Sequence, residues 1–182
     1  MLRKLIEKIL YSIGLNLSAY DVKSELKLLK ENLPDSFKKR KVIDIGCGDG
    51  RVSLKIRKVL EPKAFLGVDL SASLIFMAKK RGLDAEVLDA ATQDLSGDLG
   101  VLWGVIHHFR DPAETLAKIN KNFRSLIIRA PVDDKRICEL GHKFDEDSFF
   151  KLLSRAEIDR DKCKIIRSKS TKALIIFTNV GS

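Results

Sequence analysis

Apolar and polar positions change rhythm several times along the chain, and each change marks an element. Leu2, Leu5, Ile6, Ile9, Leu10 and Ile13 recur at helical spacing, with Arg3, Lys4, Glu7 and Lys8 on the opposite face. That pattern predicts an amphipathic helix stopped by Gly14, packed on its own domain or lying on an anionic membrane. Tyr20, Val22, Leu26 and Leu29 carry the same period from a Ser18 cap until Pro34, predicting a second helix. Val42-Ile43-Asp44-Ile45 then alternates as a strand. A glycine-dense turn, Gly46-Cys47-Gly48-Asp49-Gly50, opens from it, and Val52 to Leu60 reads as a helix.

The alternation continues down the chain. A second strand runs from Phe65 to Leu70, then a helix from Ser71 to Arg81 with Gly82 as its C-cap. Asp84 to Leu88 is a third strand, Leu99 to Gly104 a fourth, Ala113 to Asn122 a helix and Ser125 to Ala130 a fifth strand. Asp145 or Asp147 caps a helix through Phe149, Phe150, Leu152 and Leu153. Two β runs, Cys163–Arg167 and Ala173–Thr178, close the chain around a hairpin turn from Ser168 to Lys172. Five strands alternating with helices, then a hairpin, predict a three-layer, doubly wound, mostly parallel α/β sheet of seven strands with a C-terminal antiparallel hairpin. The expected organisation is one domain over 1–182, with an N-terminal helical extension (1–36) capping a core (37–182).

Length and composition fit this picture and narrow it. A chain of 182 residues can bury a proper core as one domain. Charged residues make up 32%, above the usual figure of about 25%. Glutamine appears only as Gln93 beside many lysines, a bias reported for proteins from hot environments. A net charge of +9 suits a nucleic acid, an anionic small molecule or anionic lipid as partner, or plain solubility; the charge is spread rather than concentrated. Cys47, Cys138 and Cys163 are odd in number and include no CxxC pair, which argues against a disulfide scaffold or a zinc site and suggests a reducing compartment. No apolar run approaches 18 residues, and no secretory leader pattern opens the chain, so a cytoplasmic protein is expected.

The glycine turn is where the chemistry concentrates. Glycine permits positive φ and leaves no Cβ in the way of a ligand, and the following helix start offers unpaired N–H groups. The spacing is GxGxG, with Arg51 where a dinucleotide fingerprint would carry its third glycine. Asp44, two residues before the first glycine, would repel a pyrophosphate but accommodate an ammonium or sulfonium. Asp69 ends the second strand about 20 residues further on, where a carboxylate takes ribose hydroxyls in nucleotide-binding βαβ units. Asp89-Ala90 follows the third strand and Trp103-Gly104 ends the fourth. The basic run Phe37-Lys38-Lys39-Arg40-Lys41 precedes the first strand, at the end opposite the ligand, and is expected to be a solvated loop.

VIDIGCGDG, read with these acids, resembles the first motif of the class I S-adenosylmethionine (SAM) dependent methyltransferases, and the register extends over about residues 40 to 135. The resemblance implies a Rossmann-like fold, SAM as cofactor and S-adenosylhomocysteine as product. It implies that Asp44, Gly46, Cys47 and Gly48 surround the methionine and ribose portions. It implies that Asp69 holds the ribose hydroxyls while Leu70 flanks the adenine. Asp89 would bind the adenine amino group, the Ala90 N–H a ring nitrogen, and the Trp103-Gly104 backbone would lie near the methionine amino group. No metal is implied.

Val105 to Pro112 resembles a segment common in members that methylate small molecules. It carries His107 and His108, of which His108 is the preferred general base, a purely packing role for both remaining open. The Asn/Asp-Pro-Pro-aromatic signature of amino methylation is missing, as is a Pro-Cys pair for a covalent cytosine mechanism. The expected acceptor is therefore a small molecule. RNA or protein acceptors, and a non-catalytic SAM-binding protein, are the alternatives. Lys162, Lys164, Arg167, Lys169 and Lys172 either contact phosphates or decorate a solvated turn. The acceptor pocket is expected from the N-terminal helices (Tyr20 among them), the loop after the fourth strand, and Pro131 to Lys143.

Overall fold

Strands β1 (Lys41–Ile45), β2 (Ala64–Asp69), β3 (Ala85–Val87), β4 (Gly97–Trp103), β5 (Phe123–Pro131), β6 (Lys164–Ser168) and β7 (Ala173–Phe177) form one sheet. Its order is β3-β2-β1-β4-β5-β7-β6. The computed structural model describes residues 22–133 and 141–180. The N-terminal amphipathic pattern, Tyr20 and Cys138 lie outside the described residues. The strands from β3 to β5 pair in parallel, and β7 is antiparallel to both β5 and β6. Strand order reverses between β1 and β4, so the crevice at their carboxyl ends is the place where an open α/β sheet binds its ligand.

Alternation along the strands sorts side chains to two faces. Val42, Leu99, Val101, Trp103, Ile127, Ile175 and Phe177 face one core. Helices α1 (Val22–Asn32), α2 (Ser53–Leu60) and α3 (Ala72–Lys80) fill it with Leu29, Ile56, Leu60, Ile75 and Ala78. Ile45, Leu102, Leu126, Ile128, Leu174 and Ile176 face the other. Helices α4 (Pro112–Asn122) and α5 (Glu146–Arg155) cover that side with Leu116, Ile119, Phe149 and Leu153. Caps set the helix starts. Asp111 accepts from the N–H groups of Ala113 and Glu114, with Pro112 in the first turn. Asp145, rather than Asp147, forms a capping box with Ser148.

Helix α1 is locked to the sheet by charge as well as by apolar contact. Arg129 on β5 and Glu25 on α1 are both buried, and the guanidinium reaches the carboxylate through Nε (3.0 Å to Oε2) and Nη2 (2.8 Å to Oε1). The basic run before β1 is solvated at Lys38, Lys39 and Lys41, as expected, but not at Phe37. Phe37 is fully buried and meets the edge of the Phe177 ring at 5.7 Å between centroids. Arg40 lies over Phe37 and donates from Nη1 to Ser125 Oγ at 3.0 Å. An aromatic beside lysines went unread as core because its partner is 140 positions later in the chain. Its placement at the amino ends of the strands is as expected.

Candidate cofactor and active site

The loop after β1 folds back over the end of β2. The N–H groups of Gly46 and Cys47 both donate to the Val68 carbonyl, at 2.8 and 3.0 Å. Gly46 has φ +77°, and a Cβ there would sit 2.7 Å from Val105 Cβ, so only glycine fits. Gly48, at φ +55°, differs: a Cβ there would meet nothing within 4 Å. One glycine lets the chain pack; the other leaves bare backbone facing open space. Cys47 points inward against Gly67, and burial pushes its thiol pKa up, so the thiol is withdrawn from a ligand.

Arg51, in place of a third glycine, braces the turn. Its Nε lies 2.6 Å from Asp49 Oδ2, and Arg81 reaches the same carboxylate at 3.5 Å and the Asp49 carbonyl at 3.1 Å. Beneath the turn Asp44 is 2% exposed. Burial pushes its pKa up to about 7; a hydrogen bond from Ser53 opposes the shift and the Asp69 charge adds to it. The single proton of the Ser53 hydroxyl is shared between Asp44 and the Cys47 carbonyl, 3.2 Å away, so one buried hydroxyl couples Asp44 to the loop.

Asp69 is held by backbone. Gly48 N–H donates to its Oδ2 and Ser71 N–H to its Oδ1, both at 2.9 Å. Each carboxylate oxygen keeps a lone pair for a further donor. Leu70 beside it is 70% exposed, an apolar side chain at the crevice mouth. At the end of β3, Asp89 accepts from Ala91 N–H at 2.9 Å, and its own N–H donates to Gln93 Oε1 at 2.9 Å. Ala90 is buried in the core. At the end of β4, Trp103 is 7% exposed and faces the α1 side, while Gly104 turns the chain at φ +74° with its N–H on the Arg129 carbonyl.

The loop after β4 makes a 3-10 turn over Ile106–His108 that separates the two histidines. His107 is buried, and its carbonyl accepts from His142 N–H at 2.8 Å. His108 is exposed, its ring centroid 3.9 Å from that of His107. Crowding at the mouth nonetheless lowers its pKa, and the Asp69 charge acts in the opposite sense. Ten of the residues picked out from sequence (Asp44, Gly46, Cys47, Gly48, Asp69, Leu70, Asp89, Ala90, Trp103 and Gly104) thus stand at the carboxyl ends of β1 to β4. Ser53, the Asp49–Arg51–Arg81 brace, the Glu25–Arg129 pair and His142 were not picked out. Only Arg51 carried a local signal, as a misfit to the glycine pattern. A hollow of about 270 Å³ between the amino ends of β1, β2 and β4 lies at the opposite end and shares no residue with this site.

A crevice with bare backbone at Gly48, three carboxylates at successive strand ends and an exposed leucine fits a nucleoside that carries positive charge. The sheet order and the layers are those of the class I, Rossmann-like methyltransferase fold. Residues 43–125 match the family model described as a methyltransferase domain. Solved structures of this fold include a possible histamine N-methyltransferase from Thermotoga maritima (16% identity, 98% of this chain and 95% of that one, TM-score 0.70). They include a putative methyltransferase in complex with the Haloferax volcanii Trm112 activator (12% identity, 87% and 95%, TM-score 0.66). Magnesium protoporphyrin IX methyltransferase from Synechocystis, with S-adenosylhomocysteine bound, is a third (16% identity, 86% and 80%, TM-score 0.62). Among curated proteins, the U6 snRNA methylphosphate capping enzyme Amus of Drosophila melanogaster is 38% identical over 47 residues, and that match spans 26% of this chain and 16% of the relative. The likeness is thus one of fold, that of the class I methyltransferases, with the methyltransferase-domain pattern running over residues 43–125. Among the described residues no helix is long and apolar enough to cross a membrane.

Proposed function

We propose that the chain acts as a single methyltransferase domain on a small acceptor that enters beside the turn after β4, with His108 as the base. When bound, SAM supplies a methyl group already activated on a sulfonium, so the protein's part is alignment, exclusion of water and proton removal. In this reading the Asp69 carboxylate takes the ribose hydroxyls, its geometry fixed in advance by Gly48 and Ser71. Leu70 covers one face of the adenine, Asp89 accepts from its amino group and the Ala90 N–H meets a ring nitrogen. Asp44, Gly46, Cys47, Gly48, Trp103 and Gly104 surround the methionine end with backbone and one buried carboxylate.

The observation that carries the assignment of the base is the division of labour in the 3-10 turn. His107 is turned into the protein, while His108 stands exposed at the mouth with a lowered pKa. A lowered pKa keeps the imidazole neutral at physiological pH, the form that accepts a proton. An RNA acceptor is the second reading, supported by the net charge of +9 and by the name of the Drosophila relative.

The test is methyl-labelled SAM incubated with cell extract, then fractionated into RNA, protein and small molecules. Label in the small-molecule fraction is expected; label confined to RNA or protein refutes the small acceptor. With the acceptor in hand, His108→Ala should lower kcat by about 10²–10⁴-fold with S-adenosylhomocysteine affinity unchanged. Equal turnover in the variant would remove His108 from the chemistry.

A further inference from the structure

Pairing of Ser168 with Ala173 closes a four-residue turn, Lys169-Ser170-Thr171-Lys172, between β6 and β7. Strand β7 is antiparallel to β5 with Ala173 opposite Pro131, so this turn stands at the carboxyl end of β5. Val132 N–H donates to the Lys172 carbonyl at 2.8 Å and ties the two together. The turn therefore shares an end of the sheet with the glycine loop and His108. It lies on the β4–β5 side of the crevice, away from β2 and β3, where Asp69 and Asp89 stand.

The turn is built, not merely solvated. Thr171 and Ser168 are buried, and Thr171 Oγ1 donates to Ser168 Oγ at 2.7 Å. Ser170 Oγ lies 3.4 Å from Ser168 Oγ and 3.3 Å from Ser24 Oγ on α1. Lys172 holds φ +48°, a left-handed conformation that a lysine adopts only when its surroundings impose it. These hydroxyls and that backbone fix the stems of Lys169 and Lys172, both exposed and neither in an ion pair among the described residues. Two cations three positions apart on a rigid turn repel each other, and an anion with several oxygens between them reverses the sign.

The neighbouring rim continues the charge. Lys143 follows His142, whose N–H is bonded to the His107 carbonyl, and Arg110 lies two positions past His108; both are exposed. Among the described acids nearby, Asp111 and Asp145 are engaged in helix caps and Glu146 pairs with Arg167, while Asp133 stands exposed as an opposing charge.

We propose that the Lys169–Lys172 turn is a phosphate-binding subsite on the acceptor side, so that the acceptor is a phosphomonoester: a free nucleotide or the 5′ end of an RNA strand. This rests on the reading that the acceptor enters beside the turn after β4.

The test uses a 5′-phosphorylated, 3′-fluorescein-labelled ten-nucleotide RNA in anisotropy titrations, with adenosine monophosphate as competitor. Lys169→Gln/Lys172→Gln should weaken binding at least tenfold at low salt and reduce the slope of log K against log salt by about 1.4, two contacts at about 0.7 each. Lys41→Gln/Lys63→Gln, the same charge change at the opposite end of the sheet, should stay within about twofold of wild type. Competition by adenosine monophosphate identifies a free nucleotide; RNA binding without such competition identifies the strand end. Equal losses in both double variants, or no binding of either probe to wild type, overturn the proposal. S-adenosylhomocysteine affinity, measured alongside, is unchanged in every variant. Label transfer to a phosphate-free acceptor would retain the methyl-transfer reading while discarding this subsite.

Discussion

Asp44 gives the sharpest quantitative test of the site. The perturbation is Asp44→Asn, which keeps the shape and removes the ionisable proton. In the folded protein burial raises the Asp44 pKa to about 7, while in the unfolded chain it returns to about 4. Between those values the folded state holds one more proton than the unfolded state, so stability falls as pH rises through that window and levels off above it. About three pH units at 1.36 kcal/mol per unit make a term of about 4 kcal/mol, of which about 3 kcal/mol falls between pH 5 and pH 8. The asparagine variant lacks that term.

The assay is urea unfolding of both proteins at pH 5 and pH 8, without cofactor. With a slope of about 2 kcal/mol per M, the midpoint of Asp44→Asn relative to wild type should move up by about 1.5 M on going from pH 5 to pH 8. Subtraction between the proteins cancels every other titrating group. A pH-independent difference would show that Asp44 is an ordinary carboxylate, hydrated rather than buried in solution. The cofactor supplies a second readout. SAM carries positive charge and favours ionised Asp44, so its binding to wild type at pH 6 should release protons, seen as a dependence of calorimetric heat on buffer; the variant should show no such dependence.

Three further outcomes follow from contacts across the site. Glu25→Ala strips a buried guanidinium of its carboxylate and should cost about 3–5 kcal/mol in urea unfolding, whereas Glu25→Leu/Arg129→Met should recover most of it; a single variant as stable as wild type would contradict the buried pair. Gly46→Ala should lose on the order of 3 kcal/mol through the Val105 clash. Gly48→Ala should lose only about 1–2 kcal/mol from its positive φ but bind SAM at least tenfold more weakly; the reverse ranking of the two would misplace the cofactor. Asp69→Ala should weaken SAM binding by about 1–3 kcal/mol in calorimetry, and unchanged affinity would sink its role at the ribose.

What was legible from sequence was local in origin. Strand-turn-helix succession, an acid at the end of each of the first three strands and a capping aspartate before a helix are patterns written within a few positions. They located the carboxyl-end crevice before any contact was known. What escaped was set by distant partners. Phe37 lay in a lysine run, and only the Phe177 ring makes it core. Glu25 looked like one more acid on a charged helix face, and only Arg129 on β5 makes it a lock. The Ser168–Lys172 turn read as a hairpin, but its position beside the crevice depends on β7 entering the sheet between β5 and β6. Neighbouring histidines were ambiguous for a different reason. A 3-10 turn rotates successive side chains by about 120°, so His107 and His108 take opposite environments that no periodic pattern could rank.

The arrangement of charge around the crevice has a consequence for order within the site. Asp44, Asp69 and Asp89 end β1, β2 and β3, while Arg110, Lys143, Lys169 and Lys172 follow β4, α5's approach and the β6–β7 turn. The Asp69 and Asp89 carboxylates thus stand on one side of the point where strand order reverses, and four basic side chains, with Asp133 among them, on the other. In a crevice walled by protein, unit charges several ångströms apart interact more strongly than they do in bulk water. A positively charged cofactor is drawn to the carboxylate side and disfavoured on the lysine side; an anionic acceptor meets the opposite bias. Each ligand is therefore excluded from the other's half of the site by the same field that holds its partner, which favours a productive facing of methyl donor and acceptor over binding of two copies of either. Raising the salt concentration weakens that sorting most at the exposed lysines and least at buried Asp44. Acceptor KM should accordingly rise with salt more steeply than the KM for SAM, and equal salt dependence of the two would argue against a charge-sorted crevice.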